Sequence, residues 1–233
     1  MKHIAIILAG GSGRRMGGAL PKQFLKVNNR TILEYTIDNF ERTECIDEIA
    51  IVTHPDYVNE MQEIIAANPW KKVGNILLGG KERTDSTLSA LRAYTTDDDR
   101  LLIHDGVRPL VSQSIITNVC SALAEFDAVN LAIPAVDTII EVKDGVMVAA
   151  PRRDLLRQVQ TPQGFKRETL AKAYEQALAD PDFMATDDCG VVFKYHPATA
   201  IKIVEGETSN IKITYKEDLE FLEKYLETTG TKN

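Results

Sequence analysis

The stretch HIAIILAGGSGRR, residues 3–15, decides the fold. Residues 3–9 are a continuous apolar run, which is typical of a β-strand that is buried on both faces. Three glycines and two arginines follow within the next six residues. Ligands of open α/β sheets bind where parallel strands end, and glycines let backbone N–H groups come close to an anion. The stretch therefore predicts a buried first strand that leads into an anion-binding loop.

Outward from this strand, predicted strands and helices alternate along the chain. The strands are expected at 47–53, 76–78, 100–104 and 129–134, and the helices at 31–42, 55–65, 84–94 and 113–125. Such alternation predicts an α/β, Rossmann-like three-layer fold, in which helices cover both faces of a mostly parallel sheet. Further helices are expected near 166–179, 187–194 and 215–228, and further strands at 201–204 and 210–214.

Residues 135–149 interrupt this alternation. Two short β-prone pieces are joined there by an Asp-Gly pair, Asp144 and Gly145, which favours a hairpin because both residues tolerate positive φ. The hairpin is apolar, so either its own domain or a second subunit has to cover it. We expect a single domain over 1–233, with 135–153 as a projecting arm through which the chain forms a homodimer.

Composition excludes several classes of protein. The 233 residues carry a net charge of −7, with 44% hydrophobic and 26% charged residues. This globular balance excludes a disordered or collagen-like chain, and the acidic charge argues against a nucleic-acid binder. No apolar run approaches the roughly 18 residues of a membrane span, and the apolar start is too short for a signal peptide. We therefore expect a cytoplasmic protein with small-molecule partners, neither nucleic acid nor membrane.

The cysteines and histidines point to no metal site. Cys45, Cys120 and Cys189 are scattered and share no CxxC spacing, so they are expected to be reduced, buried or half-buried thiols. The four histidines show none of the paired spacings that bind zinc. No protein-ligated metal is predicted.

The glycine-rich loop matches neither familiar nucleotide motif. Gly13 and Gly18 have the spacing of a P-loop, but Ala19 stands where that motif needs its lysine. Met16 stands where the dinucleotide fingerprint needs its last glycine, and the next strand, 47–53, is not followed by a ribose-binding acid. What remains is a loop with Arg14 and Arg15, followed by Lys22. Three cations in this arrangement suit a triphosphate that must lose pyrophosphate.

Four further segments carry residues suited to binding or catalysis. Asp105 and Arg108 follow the strand at 100–104, so they are expected at the edge of the ligand crevice. Arg152 and Arg153, with the amides and hydroxyl of 160–163, suit a phosphate and polyol hydroxyl groups. Thr186 or Asp187 begins a helix, and Lys212 is an isolated lysine on the predicted strand 210–214.

Together these five segments resemble the cytidylyltransferases that act on polyol phosphates, over about residues 3–226. The resemblance implies the nucleotidyltransferase fold and an enzyme that joins CTP to a polyol phosphate, giving a CDP-polyol and pyrophosphate. The attacking phosphate monoester is already mostly dianionic near neutral pH, so the reaction needs cations and positioning rather than a general base. Mg²⁺ would be the cofactor and would be carried mainly by the CTP phosphates.

The resemblance also implies roles for particular residues. Three cations would be catalytic: Arg15, Lys22 and Lys212. The CTP-binding residues would be Ala9, Gly10, Gly11, Ser12, Gly13, Arg14, Gly80, Arg83, Ser86, Asp105 and Gly106. The residues that bind the polyol phosphate would be Arg108, Thr138, Arg153, Thr161 and Thr186, with Thr138 and Arg153 reaching the site of the neighbouring subunit.

The acceptor stays open at this point. Methylerythritol phosphate, a precursor in isoprenoid biosynthesis, is the expected acceptor, and ribitol phosphate is the alternative. Val107 resembles the ribitol branch of the family, and Ala135 and Cys189 also depart from the methylerythritol pattern, whereas Asp187 and Asp188 agree with it. Two alternative hypotheses assign the chain to other functional classes: an NAD(P)-dependent oxidoreductase and a nucleotide-binding regulatory module.

Overall fold

The computed structural model describes residues 1–11 and 20–229. Its strands are β1 (His3–Ala9), β2 (Lys26–Val27), β3 (Arg30–Thr31), β4 (Glu48–Thr53), β5 (Val73–Leu78), β6 (Arg100–Asp105), β7 (Ala128–Pro134), β8 (Glu141–Lys143), β9 (Val146–Ala149), β10 (Arg157–Lys166) and β11 (Ile201–Glu205). The α-helices are α1 (Ile32–Glu41), α2 (Val58–Ala66), α3 (Arg83–Ala93), α4 (Gln113–Ala122), α5 (Arg167–Ala179), α6 (Asp188–Tyr195) and α7 (Lys216–Thr228).

Seven strands form one sheet in the order β11-β7-β10-β6-β1-β4-β5. Four of its six strand pairings are parallel, and both antiparallel pairings involve β10. The predicted mostly parallel sheet is therefore confirmed, with β1 at its interior between β4 and β6.

The antiparallel strand β10 was not predicted, because polar residues interrupt its apolar pattern. Gln160 and Gln163 are buried in it, beside Pro162. The Gln163 amide donates to Asn130 Oδ1 at 3.0 Å and to Asp187 Oδ2 at 2.6 Å. Residues from distant parts of the chain thus form the hydrogen bonds that the buried polar side chains of β10 need.

The helices form two layers around the sheet, as predicted. Ala5 and Ile7 of β1 point into a core with side chains from α1, α2 and α4. Ile4 and Ile6 point into a second core with side chains from α3, α5 and α6. This alternation follows from the period of two along a strand and explains why β1 is apolar at consecutive positions.

Residues 210–214 are not a strand, and this prediction was wrong. Ile213 N–H donates to Val107 O at 2.9 Å, but no ladder continues from that bond. The Ile213 carbonyl instead accepts from Lys22 Nζ at 2.7 Å, and the Asn210 carbonyl accepts from Arg108 Nη1 at 2.7 Å. Side chains from two other loops take up the backbone groups that a neighbouring strand would otherwise bind.

The predicted hairpin is present and stands apart from the main sheet. β8 and β9 pair only with each other, and the turn residues Asp144 and Gly145 have φ values of 51° and 78°. Val142 and Val146 are 57% and 65% exposed. The part of the chain that the structure describes therefore leaves the apolar hairpin uncovered.

Candidate active site

A cleft of about 710 Å³ opens where β1, β4, β5 and β6 end. Nine of the predicted site residues line it: Ala9, Gly10, Gly11, Lys22, Gly80, Arg83, Ser86, Asp105 and Lys212. The predictions for Ser12, Gly13, Arg14 and Arg15 fall outside the described residues. The carboxyl edge of the sheet thus brings together residues that are up to 203 positions apart in the chain, from Ala9 to Lys212.

Asp105 is the electrostatic centre of the cleft. Its carboxylate lies 3.0 Å from Lys212 Nζ, 3.4 Å from Arg108 Nε and 4.0 Å from Arg83 Nε. Burial by itself would raise the pKa of Asp105, but Lys212, Arg83 and Arg108 outweigh it and hold the pKa well below its usual range. The carboxylate therefore stays ionised and holds three cations at one edge of the cleft.

Lys22 is positioned by a short 3₁₀ helix at Lys22–Phe24. The amide of Gln23 donates to Ala9 O at 2.6 Å and to Gly11 O at 3.1 Å. These bonds fix the segment against the end of β1, while Lys22 Nζ reaches the Ile213 carbonyl across the cleft. Lys22 and Lys212 consequently approach the same space from two loops that are far apart in sequence.

A buried network holds the loop that carries Asp105. The Asp105 N–H donates to Thr161 Oγ1 at 3.1 Å, and the same Oγ1 lies 3.1 Å from His104 Nδ1. His104 Nε2 lies 3.3 Å from the Arg108 carbonyl. Burial lowers the pKa of His104 to about 3, so the ring is neutral, and its Nε2–H donates to that carbonyl while Nδ1 accepts from Thr161. His104 was not predicted, because a histidine at the end of an apolar strand gives no signal of a tertiary partner.

Thr161 and Arg108 lie behind the wall of the cleft, at 6% and 9% exposure. Their polar atoms bind the Asp105 loop and the Asn210 carbonyl. Both residues were predicted to bind the polyol phosphate. The structure places them next to the cleft, but their polar atoms form hydrogen bonds with the protein itself.

Arg83 is held from behind by a carboxylate that was not predicted. Asp188 is fully buried at the start of α6 and accepts from Arg83 Nη1, from Thr87 Oγ1 at 2.8 Å and from Tyr174 Oη at 2.7 Å. Burial would lower the pKa of Arg83, but Asp188 and Asp105 outweigh it and raise the pKa. The sequence predicts a helix start there, and Asp187 is indeed the N-cap, but only the fold reveals what Asp188 faces.

Two predicted glycines lie where a side chain would collide. A Cβ on Gly80 would overlap the Asp85 carboxylate, which caps the start of α3. A Cβ on Gly106 would lie 3.0 Å from Leu8 O and 3.1 Å from Leu33 Cδ1. Gly80 lines the cleft, whereas Gly106 supports it by packing against β1.

Three predicted residues lie outside the cleft of this chain. Thr138, Arg153 and Thr186 are exposed, and Arg153 Nη1 donates to the Val136 carbonyl at 3.2 Å. Other side chains line the cleft without having been named individually as site residues: Leu8, Gln23, His54, Lys81, Glu82 and Val107. All of them except His54 are adjacent in sequence to predicted site residues, and His54 directly follows the predicted strand 47–53. Within residues 1–11 and 20–229, no cluster of three His, Cys, Asp or Glu side chains could hold a metal, and no helix is long and apolar enough to cross a membrane.

Comparison with known proteins identifies the family of the chain. The sequence model of the IspD family, described as 2-C-methyl-D-erythritol 4-phosphate cytidylyltransferase, matches residues 3–228. The chain belongs to the IspD family. Family membership confirms the predicted fold and the predicted class of enzyme, a cytidylyltransferase, over the oxidoreductase and the regulatory module.

Two curated relatives of the family stand out. The chain is 43% identical over 231 residues to the 2-C-methyl-D-erythritol 4-phosphate cytidylyltransferase of Thermobifida fusca, covering 96% of this chain and 93% of that protein. It is 42% identical over 227 residues to the bifunctional ribulose 5-phosphate reductase/CDP-ribitol pyrophosphorylase Bcs1 of Haemophilus influenzae, covering 96% of this chain and 48% of that protein. One relative named for methylerythritol phosphate and one named for CDP-ribitol are thus similar to this chain at nearly equal identity.

Solved structures of the family share the fold. The 4-diphosphocytidyl-2C-methyl-D-erythritol synthase of Anaerococcus prevotii superimposes with a TM-score of 0.85 at 33% identity, covering 97% of this chain and 96% of that chain. The 2-C-methyl-D-erythritol 4-phosphate cytidylyltransferase of Thermus thermophilus has a TM-score of 0.75 at 29% identity. The match covers 97% of this chain and 100% of that chain.

Proposed function

We propose that the chain transfers the cytidylyl group of CTP to 2-C-methyl-D-erythritol 4-phosphate, releasing pyrophosphate, as a step of isoprenoid biosynthesis. The observation that carries this proposal is the Asp105 cluster, which gathers Lys212 and Arg83 at a cleft that Lys22 also lines. The whole chain is acidic, at −7, so this concentration of cations is local. A local cationic cleft is what two polyanionic substrates require.

The chemistry follows from the charges. An oxygen of the acceptor phosphate attacks the α-phosphorus of CTP, the new P–O bond forms, and the bond from that phosphorus to the bridging oxygen breaks to release pyrophosphate. Negative charge builds on the α-phosphate and on the leaving group, where fixed cations stabilise it without reorganisation. Lys22 and Lys212 are suited to this role, and Arg15 joins them by resemblance.

Asp105, Arg108 and His104 position these cations rather than exchange protons. Asp105 is ionised and bound to Lys212, so it holds the lysine head in one place. His104 is buried and neutral, and its two ring nitrogens are taken up by Thr161 and the Arg108 carbonyl. None of these groups is needed as a base, because the attacking phosphate is already ionised.

We propose Mg²⁺ as the metal cofactor, carried by the triphosphate. The carboxylate at the centre of the cleft, Asp105, already faces Lys212 and Arg108, which leaves it a poor ligand for a cation. Mg²⁺ is commonly bound by substrate phosphates with few protein ligands. When bound there, it neutralises part of the triphosphate charge, and the cations of the cleft bind the rest.

We further propose a single domain with the arm, residues 135–153, reaching a second copy of the chain in a cytoplasmic homodimer. The uncovered apolar side chains of β8 and β9 support this, since a two-fold interface would cover both copies of the arm. Arg153 and Thr138 lie on that arm, exposed. In the dimer they would bind the acceptor phosphate at the partner's cleft.

Ribitol 5-phosphate is the second candidate acceptor. Val107, which resembles the ribitol branch, lines the cleft, and the chain is 42% identical to the CDP-ribitol pyrophosphorylase relative. The choice of methylerythritol phosphate as the acceptor rests instead on the family match over residues 3–228.

Pyrophosphate release from CTP with each acceptor tests the proposal directly. We expect release with methylerythritol phosphate at a kcat/KM at least about tenfold above that with ribitol phosphate, a difference of about 1.4 kcal/mol in transition-state binding. The reverse ratio would assign the chain to ribitol phosphate. No release with either acceptor would overturn the proposed reaction.

A further inference from the structure

Two cysteines that are 75 positions apart meet at the edge of the sheet opposite the cleft. Cys45 lies in the connection between α1 and β4, and Cys120 lies in the last turn of α4. Their Sγ atoms are 2.7 Å apart. A disulfide bond is roughly 2.05 Å long, so the two thiols are in direct contact and need only a small displacement to bond.

The two thiols are not equivalent. Cys120 is 4% exposed, whereas Cys45 is only half-buried. The hydrogen bond with Cys120 lowers the pKa of Cys45 against the opposing effect of burial, and Thr117 and Lys72 contribute in the same direction. The same hydrogen bond and burial raise the pKa of Cys120. Cys45 is therefore the thiol that a small oxidant reaches first, with Cys120 directly behind it.

The third cysteine provides a contrast. Cys189 is 2% exposed in α6, on the other face of the sheet, and its Sγ lies 3.6 Å from the Val129 carbonyl. Burial raises the pKa of this thiol well above its usual value. Cys189 is consequently expected to stay reduced under conditions that oxidise the pair.

We propose that Cys45 and Cys120 form a reversible disulfide in the folded protein, with a small-molecule disulfide as oxidant. The Cys45 sulfur attacks one sulfur of the oxidant, forming a mixed disulfide and releasing one thiol. Cys120 then attacks the Cys45 sulfur, forming the Cys45–Cys120 bond and releasing the second thiol. The protein loses two electrons and two protons, and the oxidant gains both.

The cross-link joins the segment that follows α1 to the last turn of α4, and both helices support the Asp105 loop. In α1, Thr36 Oγ1 donates to Gly106 O at 3.1 Å and Asn39 Nδ2 donates to Pro109 O at 3.0 Å. Helix α4 begins directly after this loop, at its N-cap Ser112. Cys45 follows the C-terminal end of α1, Cys120 lies near the C-terminal end of α4, and neither residue lines the cleft. The disulfide therefore stabilises the fold against unfolding and leaves kcat unchanged.

The experiment compares the full-length protein before and after incubation with oxidised glutathione under native conditions. We expect a product lighter by two hydrogen atoms, one proteolytic peptide pair linking residues 45 and 120, and a rise in Tm of about 5–15 °C. Reduction with an excess of dithiol should return the original mass and Tm. These measurements on the wild-type chain do not depend on whether a variant folds.

Matched variants complete the test. Cys189→Ala should form the same linked peptides and show the same rise in Tm, while Cys45→Ser and Cys120→Ser should show no rise. A lasting mixed disulfide with glutathione, a link through Cys189 or between chains, or a Cys45–Cys120 bond without a rise in Tm would each overturn the proposal.

Discussion

In the cleft, charged side chains meet partners from the same chain, whereas on the arm large apolar side chains lie in solvent. Asp105 is bound to Lys212 and Arg108, and Asp188 is bound to Arg83. Val142 and the other apolar residues of the hairpin have no comparable cover in the described part of the chain. The difference supports the proposal that one chain organises the nucleotide side by itself and that the acceptor side depends on a second copy.

The largest expected effect is in the cleft. Lys22→Ala and Lys212→Ala each remove a cation from the space where charge builds up, so the activation free energy should rise by about 2–4 kcal/mol. Pyrophosphate release should show this as a fall in kcat of about 30- to 900-fold, larger than the change in KM for CTP. Lys26→Ala, an exposed lysine on β2, serves as the matched control. A variant with a near-normal kcat would remove that lysine from the proposed catalytic set.

The next effect tests whether the arm acts in trans. Arg153→Ala should lose about 10–100-fold in kcat/KM for the acceptor, since hydrogen bonds between charged groups contribute about 1.5–3 kcal/mol. When Arg153→Ala and Lys22→Ala subunits are mixed, each mixed dimer has one site that lacks both residues and one site that is intact. About a quarter of the wild-type activity should return, because half of the dimers are mixed and half of their sites are intact.

Recovery by complementation requires that the subunits exchange, which tagged subunits and mass measurement of the mixed dimers can verify. If verified mixed dimers recover no activity, Arg153 serves its own chain and the comparison between cleft and arm fails.

A smaller effect is expected from the apolar face of the arm itself. Val142→Asp places a charge where the proposed dimer buries a valine, at a cost of about 2 kcal/mol per protomer. Sedimentation at decreasing concentration should show dissociation of this variant while the wild type stays dimeric. Phe193→Asp, at an exposed apolar residue of α6, is the matched control. A wild-type protein that sediments as a fully active monomer would contradict the role of the arm.

The smallest effect concerns the pH dependence of stability. The pKa of Asp105 is lowered in the folded state, so its contribution is present above its unfolded pKa, near 3.9, and is lost as the pH falls towards the folded pKa. Urea unfolding from pH 6 to about pH 3 should show a loss on the order of 1 kcal/mol in the wild type that is absent in Asp105→Asn. If both proteins lose the same free energy of unfolding over this pH range, the charge cluster does not stabilise the cleft.

Local patterns predicted most of the fold. The apolar run at 3–9, the Asp-Gly turn at 144–145 and the N-cap at Asp187 were each recognisable, because a few neighbouring residues determine a buried strand, a hairpin turn or a helix start. They also predicted the cleft, since strands β1 and β6 both end in polar or glycine-rich loops at one edge of the sheet. The same patterns failed for β10 and for 210–214.

These failures share a physical cause. Gln163 looks unsuited to a buried strand until Asn130 and Asp187 bind its amide, and the Asn210 carbonyl is taken up by Arg108 instead of a strand. In both places a contact between residues far apart in sequence decides the backbone conformation. No window of neighbouring residues contains that contact.

The sequence by itself determined the α/β fold, the edge of the sheet at which the cleft opens, and the family. Local propensity and the period of the apolar residues carry that information along the chain. Only the tertiary structure revealed that Asp188 holds Arg83, that His104 is neutral behind Asp105, and that Cys45 touches Cys120. The state of a buried charge or thiol depends on the groups that folding places around it, and those groups come from other strands and helices.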